Sequence, residues 1–280
     1  MKIRFYKYHA LGNDFILIEN MSNKITARKL PTLAKSICNR RTGIGADGLL
    51  YLSKRKKGVT KIDVYNADGG WAEKSGNGLR IAGLHEYRKN KKTDKFKFEM
   101  GGSLSEVRLT KLTKNGGHLI TELGVAEFDT KKVPVKNKSL FMINAPLRVG
   151  GVTFPVTCLS VGNPHAVLFV DDFDFDWIEL GAAIETHPNF PNGTNVEFVK
   201  VITRKRLQVA DWERGAGATG SSGTGAAAAV SVSVLLGLID RKCRVEFETG
   251  TLLIVIRKND NVIELSGPAV FACQGIYEYQ

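Results

Sequence analysis

The chain has 280 residues, 43% of them apolar, and 40 Lys and Arg against 28 Asp and Glu give a formal charge of +12. That length and apolar fraction fit two medium domains with buried cores. Cys38, Cys158, Cys243 and Cys273 show no CxxC or metal-type spacing, and the five histidines form no HExxH pattern, so reduced thiols are expected and a zinc or other catalytic metal site is not.

Met1-Lys2-Ile3-Arg4-Phe5-Tyr6 runs straight into strand-like alternation without a secretory pattern, so a cytoplasmic protein is expected. Strands are predicted at 3–9, 15–19, 48–53 and 61–65, with a helix over 26–40 that places Leu30, Leu33, Ala34 and Ile37 on one face. A second helix starts at Gly76 or Asn77 and runs to about Arg88. Strands follow at 95–100, 104–110 and 118–123, then at 151–159, 166–170, 195–201 and 207–212, with a helix over 176–186. Another helix covers 224–238, and the tail returns to strands at 243–248, 252–257, 262–266 and 271–279. The apolar stretch from Ala226 to Ile239 is interrupted by Ser231 and Ser233 and is too short to span a bilayer, so a buried helix is expected and no membrane partner. Ala226 to Ala229 carry almost no side chain, which lets a curled sheet surround that helix closely.

Basic clusters fall at Lys54-Arg55-Lys56-Lys57, Arg88 to Lys92 and Arg204-Lys205-Arg206. They lie at separate turns and helix ends and lack a stacking platform, so they read as solvated surface and no nucleic-acid partner is expected. Part of the field steers an anionic small molecule.

Two stretches of the chain are versions of each other. Ser75-Gly76-Asn77-Gly78 and Ser222-Gly223-Thr224-Gly225 each open a helix, 147 positions apart. Gly12-Asn13-Asp14-Phe15 is echoed by Gly162-Asn163-Pro164-His165, and Asn66 falls opposite Glu213. Three correspondences in one order predict two copies of one fold. The fold class is α+β, with two pseudo-symmetric domains, each a curled, mostly antiparallel sheet around a central helix. The expected boundaries are 1–126 and 127–269, with 270–280 completing the first domain.

Gly-rich turns that run into helices expose unpaired N–H groups at a positive dipole end, which binds phosphate or carboxylate. No Lys follows the glycines as in a P-loop, and no parallel βαβ unit with a following acid supports a dinucleotide. Two related helix starts on paired domains suit one carboxylate gripped from both sides, its α-carbon between residues 75 and 222.

At these residues the chain resembles diaminopimelate epimerase and the wider group of cofactor-independent amino-acid racemases. His9-Ala10-Leu11-Gly12-Asn13-Asp14-Phe15, Arg41-Thr42-Gly43-Ile44-Gly45-Ala46-Asp47-Gly48 and Asn66-Ala67-Asp68-Gly69 through Ser75-Gly76-Asn77-Gly78 resemble its first-domain motifs. Gly162-Asn163-Pro164-His165, Thr194-Asn195-Val196, Glu213-Arg214-Gly215 and Gly223-Thr224-Gly225 follow in the family order. The resemblance implies an amino-acid substrate with two carboxylates, no cofactor, and a homodimer as in related proteins. It implies that Gly76, Asn77, Gly223 and Thr224 hold the α-carboxylate and that Asn13, Asn66, Asn163, Asn195, Glu213 and Arg214 line the site. Arg214 is the natural partner of a distal carboxylate, because its planar fork fits one bidentately. His165 stands open between substrate contact and a packed core histidine.

The family's chemistry uses two cysteines, one taking the α-proton as a thiolate and the other delivering a proton to the opposite face. At both catalytic positions this chain has serine, Ser75 and Ser222. A thiol ionises near about pH 8.5, whereas a hydroxyl is far less acidic and needs an adjacent base. Three explanations stand open: an engineered double Cys→Ser variant, a natural member that lost both thiols, and serine assisted by Glu73, Asp68, Glu213 or His165. The expected function is interconversion of LL- and meso-diaminopimelate, impaired by the two serines. The alternatives are an isomerase of the same fold that shifts protons with a carboxylate, and a binding protein for a dicarboxylic amino acid.

Overall fold

The computed structural model describes residues 1–20, 25–54, 58–137 and 139–279. The first half runs β1 (Lys2–Ala10), β2 (Asn13–Glu19), α1 (Leu30–Cys38), β3 (Gly48–Lys54), β4 (Thr60–Asn66), β5 (Trp71–Ala72), α2 (Gly76–Lys89), β6 (Lys95–Met100), β7 (Ser103–Leu112) and β8 (Gly116–Gly124). The second half runs β9 (Ala145–Val149), β10 (Val152–Ser160), β11 (Pro164–Phe169), α3 (Trp177–Glu185), β12 (Asn195–Thr203), β13 (Arg206–Glu213), β14 (Gly217–Ala218), α4 (Gly223–Leu235), β15 (Lys242–Phe247), β16 (Gly250–Ile256) and β17 (Ile263–Glu278). Two compact units result: Met1–Glu122 with Ser266–Gln280, and Leu123–Leu265.

The same plan is executed twice. In the first unit β2 pairs parallel with β3 and β4 pairs parallel with β6, while β1–β2, β3–β4, β6–β7 and β7–β8 are antiparallel. In the second unit the parallel joints are β11–β12 and β13–β15, and β10–β11, β12–β13 and β15–β16 are antiparallel. A parallel joint needs a crossover rather than a hairpin. Each helix, α1 through α4, lies in such a crossover, and α2 and α4 occupy the second joint of their units. In the first unit β8 pairs with β17 and β17 with β1, which leaves β1 and β8 without a free edge.

The α2 and α4 helices go to the inside of their sheets because of what they lack. Gly76 through His85 are buried in α2, and Gly223 through Ser233 are buried in α4. Where α2 crosses β7 and β8, a Cβ on Gly83 would come within 2.5 Å of Val107 Cγ1 and 3.0 Å of Leu119 Cδ2. The α4 helix packs on β10 through β13, β15 and β16, with Ala226 to Ala229 fully buried. Leu30, Leu33, Ala34 and Ile37 of α1 are buried together with Ile16, Ile18 and Leu49.

Three sequence expectations shift. The helix expected over 26–40 is a 3₁₀ turn, Ala27–Lys29, followed by α1, with Pro31 in the first α-helical turn where its missing N–H costs nothing. The tail strands expected at 262–266 and 271–279 are one strand, β17, which runs through Gly267-Pro268. The short strands β5, β9 and β14 have no counterpart among the predicted elements. Arg88 to Lys92 and Arg204 to Arg206 are exposed, whereas Arg55, Lys56 and Lys57 lie outside the described residues. Cys38, Cys158 and Cys243 are buried and Cys273 is exposed, all four as free thiols. Among the described residues no helix is long and apolar enough to cross a membrane.

The close fit around α4 predicts that Ala228→Leu destabilises the protein by about 1–3 kcal/mol, the range for overpacking. Urea unfolding reads this directly, and an unchanged midpoint would mean that the helix has room around it.

Candidate functional site

In each unit the buried helix begins at a serine. Ser75 caps α2, its Oγ accepting from the Gly78 N–H at 3.0 Å, and Ser222 caps α4, its Oγ accepting from the Gly225 N–H at 3.1 Å. Both serines are extended in backbone, as an N-cap requires. Capping satisfies one of the N–H groups at each start, and the first-turn N–H groups of an α-helix lie beyond the reach of i−4 carbonyls of the same helix. A Cβ at Gly225 would lie 2.9 Å from both Glu197 Oε1 and Ser222 Cβ, so the turn closes only on glycine.

Behind the α2 start is a chain of amides ending in a buried cation. Asn77 Nδ2 donates to Asn13 Oδ1 at 3.0 Å, and Asn13 Nδ2 donates to Asp47 Oδ2 at 3.0 Å. Asp47 is fixed in turn by Arg40, which bridges Asp47 and Asp14 at 2.7 and 2.8 Å. The first two of the first-domain motifs thus meet through Asn13, Asp14 and Asp47, with Arg40 bridging the two aspartates. On the other side of Asn77, Arg80 donates to Asn77 Oδ1, to the Gly76 carbonyl at 3.2 Å and to the Pro268 carbonyl at 3.2 Å. Arg80 is fully buried and these three partners are all neutral, and burial pushes its pKa down to about 9. It places a cation one turn behind the helix start. Asn66 closes the turn after β4, its N–H donating to the Gly70 carbonyl and its own carbonyl accepting from Gly69.

The second unit solves the same problem with different residues. Asn163 Nδ2 donates to Thr224 Oγ1 at 3.2 Å, and His165 lies behind Asn163. His165 Nε2 is 2.9 Å from Asn163 Oδ1 and its Nδ1 is 2.6 Å from Glu197 Oε1. With Nε2 donating to the amide oxygen, Nδ1 and Glu197 Oε1 share one further proton. His165 and Glu197 have no exposed surface, so His165 orients Asn163 from inside the core. Asn195 Nδ2 donates to the Pro164 carbonyl at 2.7 Å while its Oδ1 accepts from the Arg214 N–H at 2.9 Å. Glu185 accepts from Trp212 Nε1 at 2.6 Å and from the Gly215 N–H at 2.9 Å, which pins the Glu213-Arg214-Gly215 turn. The Arg214 guanidinium reaches the Asn192 carbonyl at 3.1 Å.

The two serines differ in one respect. Ser222 Oγ is 3.2 Å from Glu213 Oε2, as donor to a carboxylate. Ser222 is 1% exposed. Ser75 Oγ bonds to no carboxylate among the described residues, and the position equivalent to Glu213 is Asn66. The other carboxylate oxygen of Glu213 accepts from Thr219 Oγ1, which also lies 3.0 Å from Asp211 Oδ2. Burial raises Glu213, against the hydrogen bonds from Thr219 and Ser222, and burial with the neighbouring Glu213 charge raises Asp211 well above the usual carboxylate range. Among the described residues no group of three or more His, Cys, Asp or Glu side chains is arranged to hold a metal ion. Arg80, Glu197, Asp211 and Thr219 are not among the residues that the sequence motifs single out. A charged residue inside an apolar run, as in Leu79-Arg80-Ile81 and Val196-Glu197-Phe198, is the pattern that points to the first two.

Because burial and the neighbouring Glu213 charge raise Asp211 in the folded state above its unfolded value of about 4, stability falls as pH rises above that value. Asp211→Asn is expected to flatten this slope in urea unfolding across the pH range, and an unchanged slope would contradict the assignment.

Comparison with known proteins agrees with this architecture. The diaminopimelate epimerase family model matches residues 5–128 and 157–272. The diaminopimelate epimerase of Pelotomaculum thermopropionicum is 36% identical over 283 residues, covering 99% of this chain and 100% of that one. That of Caldanaerobacter subterraneus is 39% identical over 269 residues, covering 95% and 96%. Among solved structures, a hydroxyproline epimerase from Agrobacterium vitis shares the fold, with a TM-score of 0.72 at 11% identity and coverage of 98% and 90%. The chain belongs to the diaminopimelate epimerase family.

Proposed function

We propose that this protein binds diaminopimelate and interconverts its LL and meso forms at the α-carbon, slowly as the chain stands because Ser75 and Ser222 occupy the two proton-transfer positions. The observation that carries this reading is the pair of equivalent helix starts, each capped by the residue that the family resemblance assigns to proton transfer. The N–H groups of Gly76, Asn77, Gly223 and Thr224 are the binding groups for the α-carboxylate. Asn13, Asn163 and Asn195 hold the surrounding geometry, and Arg214 takes the distal carboxylate. A homodimer in the cytoplasm is part of the same reading.

The chemistry sets the expected rate. One group removes the α-proton, leaving an electron pair on the α-carbon, and a second group returns a proton to the opposite face. Preorganised N–H donors on the carboxylate stabilise the negative charge that develops there. A serine hydroxyl is a poor acid and a poorer base without a neighbour, and among the described residues only Ser222 bonds to a carboxylate, Glu213. That contact favours a second reading, in which Glu213 acts as the base of a thiol-independent isomerase.

Exchange of the α-proton of diaminopimelate in D₂O, followed by NMR, separates these readings. The Ser75→Cys/Ser222→Cys version is expected to exchange at least about 100-fold faster than the chain as it stands, within the range for general acid–base catalysis. Exchange by the unaltered chain that Glu213→Gln abolishes would favour the carboxylate-based isomerase. No exchange from either version would sink the epimerase assignment.

A further inference from the structure

Thr219 presents one hydroxyl to two carboxyl groups. Its Oγ1 lies 3.0 Å from Asp211 Oδ2 and within hydrogen-bond distance of Glu213 Oε1. A hydroxyl has a single proton and therefore donates to only one of them. For both contacts to be hydrogen bonds, the other carboxyl must itself carry a proton and donate to Thr219. The surroundings decide which one. Glu213 has a second donor, Ser222 Oγ, and so accepts at both oxygens, as a carboxylate does. Asp211 is 2% exposed, its Oδ1 has no partner, and it lies directly across the β12–β13 ladder from Glu197, which is fully buried with its Oε2 unpartnered. Neighbouring buried carboxylates do not all ionise. Among the described residues the other titratable group beside this cluster is His165 on β11, which is bonded to Glu197, and the start of α4 contributes the Ser222 hydroxyl.

We propose that Asp211 is a neutral acid in the folded protein and that, through Thr219, it fixes Glu213 as a carboxylate aimed at Ser222. The order is Asp211 Oδ2–H to Thr219 Oγ1, Thr219 Oγ1–H to Glu213 Oε1, and Ser222 Oγ–H to Glu213 Oε2. Asp211 and Thr219 are positioning residues, and no proton leaves Asp211 during turnover. The positioning role rests on the epimerase reading, whereas the protonation pattern does not. Burial and the neighbouring Glu213 charge, which raise Asp211 well above the usual carboxylate range, point the same way.

The test is carboxyl ¹³C NMR of the full chain labelled at aspartate and glutamate, with signals assigned by Asp211→Asn and Glu213→Gln. The Asp211 carboxyl is expected to keep its protonated shift through pH 7. Thr219→Val, or Thr219→Ala if the valine variant does not fold, removes a donor to the charged form of Glu213. The Glu213 midpoint should then rise by about one pH unit or more, the size of a hydrogen bond to a charged group, while Thr219→Ser leaves it in place. In the Ser75→Cys/Ser222→Cys version the hydroxyl deletion should lower turnover about tenfold with KM unchanged, and serine at 219 should restore it. An Asp211 signal that titrates with ordinary aspartates, or a Glu213 midpoint indifferent to the loss of the hydroxyl, would overturn the proposal. Absence of exchange in the cysteine version would sink the epimerase reading and leave the protonation result standing.

Discussion

A helix whose first turn is buried brings polar N–H groups into the core, and each must find an acceptor. This constraint organises both units. The α4 helix is surrounded because its residues are small and α2 because Gly78 and Gly83 let Leu50, Val107 and Leu119 approach closely, and the starts of both are buried along with them. Ser75 and Ser222 satisfy one N–H each. What is left is a concentration of donors at a positive dipole end, which is the physical basis of carboxylate binding. The packing that stabilises each unit is also what builds its helix start into a candidate anion site.

The two units meet the constraint with different chemistry behind the same geometry. Asn13 and Asn163 stand at equivalent positions and each reaches the second residue of the helix, Asn77 or Thr224. Behind Asn77 is the charge of Arg80, whose bonds to Asn77, Gly76 and Pro268 are all to neutral groups. Behind Asn163 is His165 with Glu197, a pair that is neutral overall wherever the proton between them resides. Glu213 stands where the other unit has Asn66, so a carboxylate touches Ser222, and among the described residues none touches Ser75. The duplicated fold has kept its topology, including both parallel joints, while the side chains around the two serines have diverged. In a reaction that needs an acceptor on one side and a donor on the other, inequality of this kind is useful.

Much of this architecture is legible in the order of residues alone. The repeat, the two helix starts and most strands follow from alternation, glycine placement and small-residue runs, because those patterns report local backbone geometry and burial. The joined strand β17 is not legible, since Gly267-Pro268 reads as a break until the Pro268 carbonyl is seen accepting from Arg80. The networks behind the helix starts are hidden for a different reason. Asp211 and Glu197 become neighbours only through the register of β12 against β13, and Thr219 joins Asp211 to Glu213 only after the turn has folded back. The sequence leaves His165 open between substrate and core because its neighbourhood is compatible with both, and only the bonds at its two nitrogens show which groups it orients.

If the helix starts bind an amino-acid head through backbone N–H groups, binding survives the loss of the thiols. Calorimetric titration of meso-diaminopimelate into the unaltered chain tests this most directly. Saturable binding is expected, weakened for lysine, which lacks the distal carboxylate assigned to Arg214. Absence of binding to the folded protein would contradict the proposed site, whatever the serines do to catalysis.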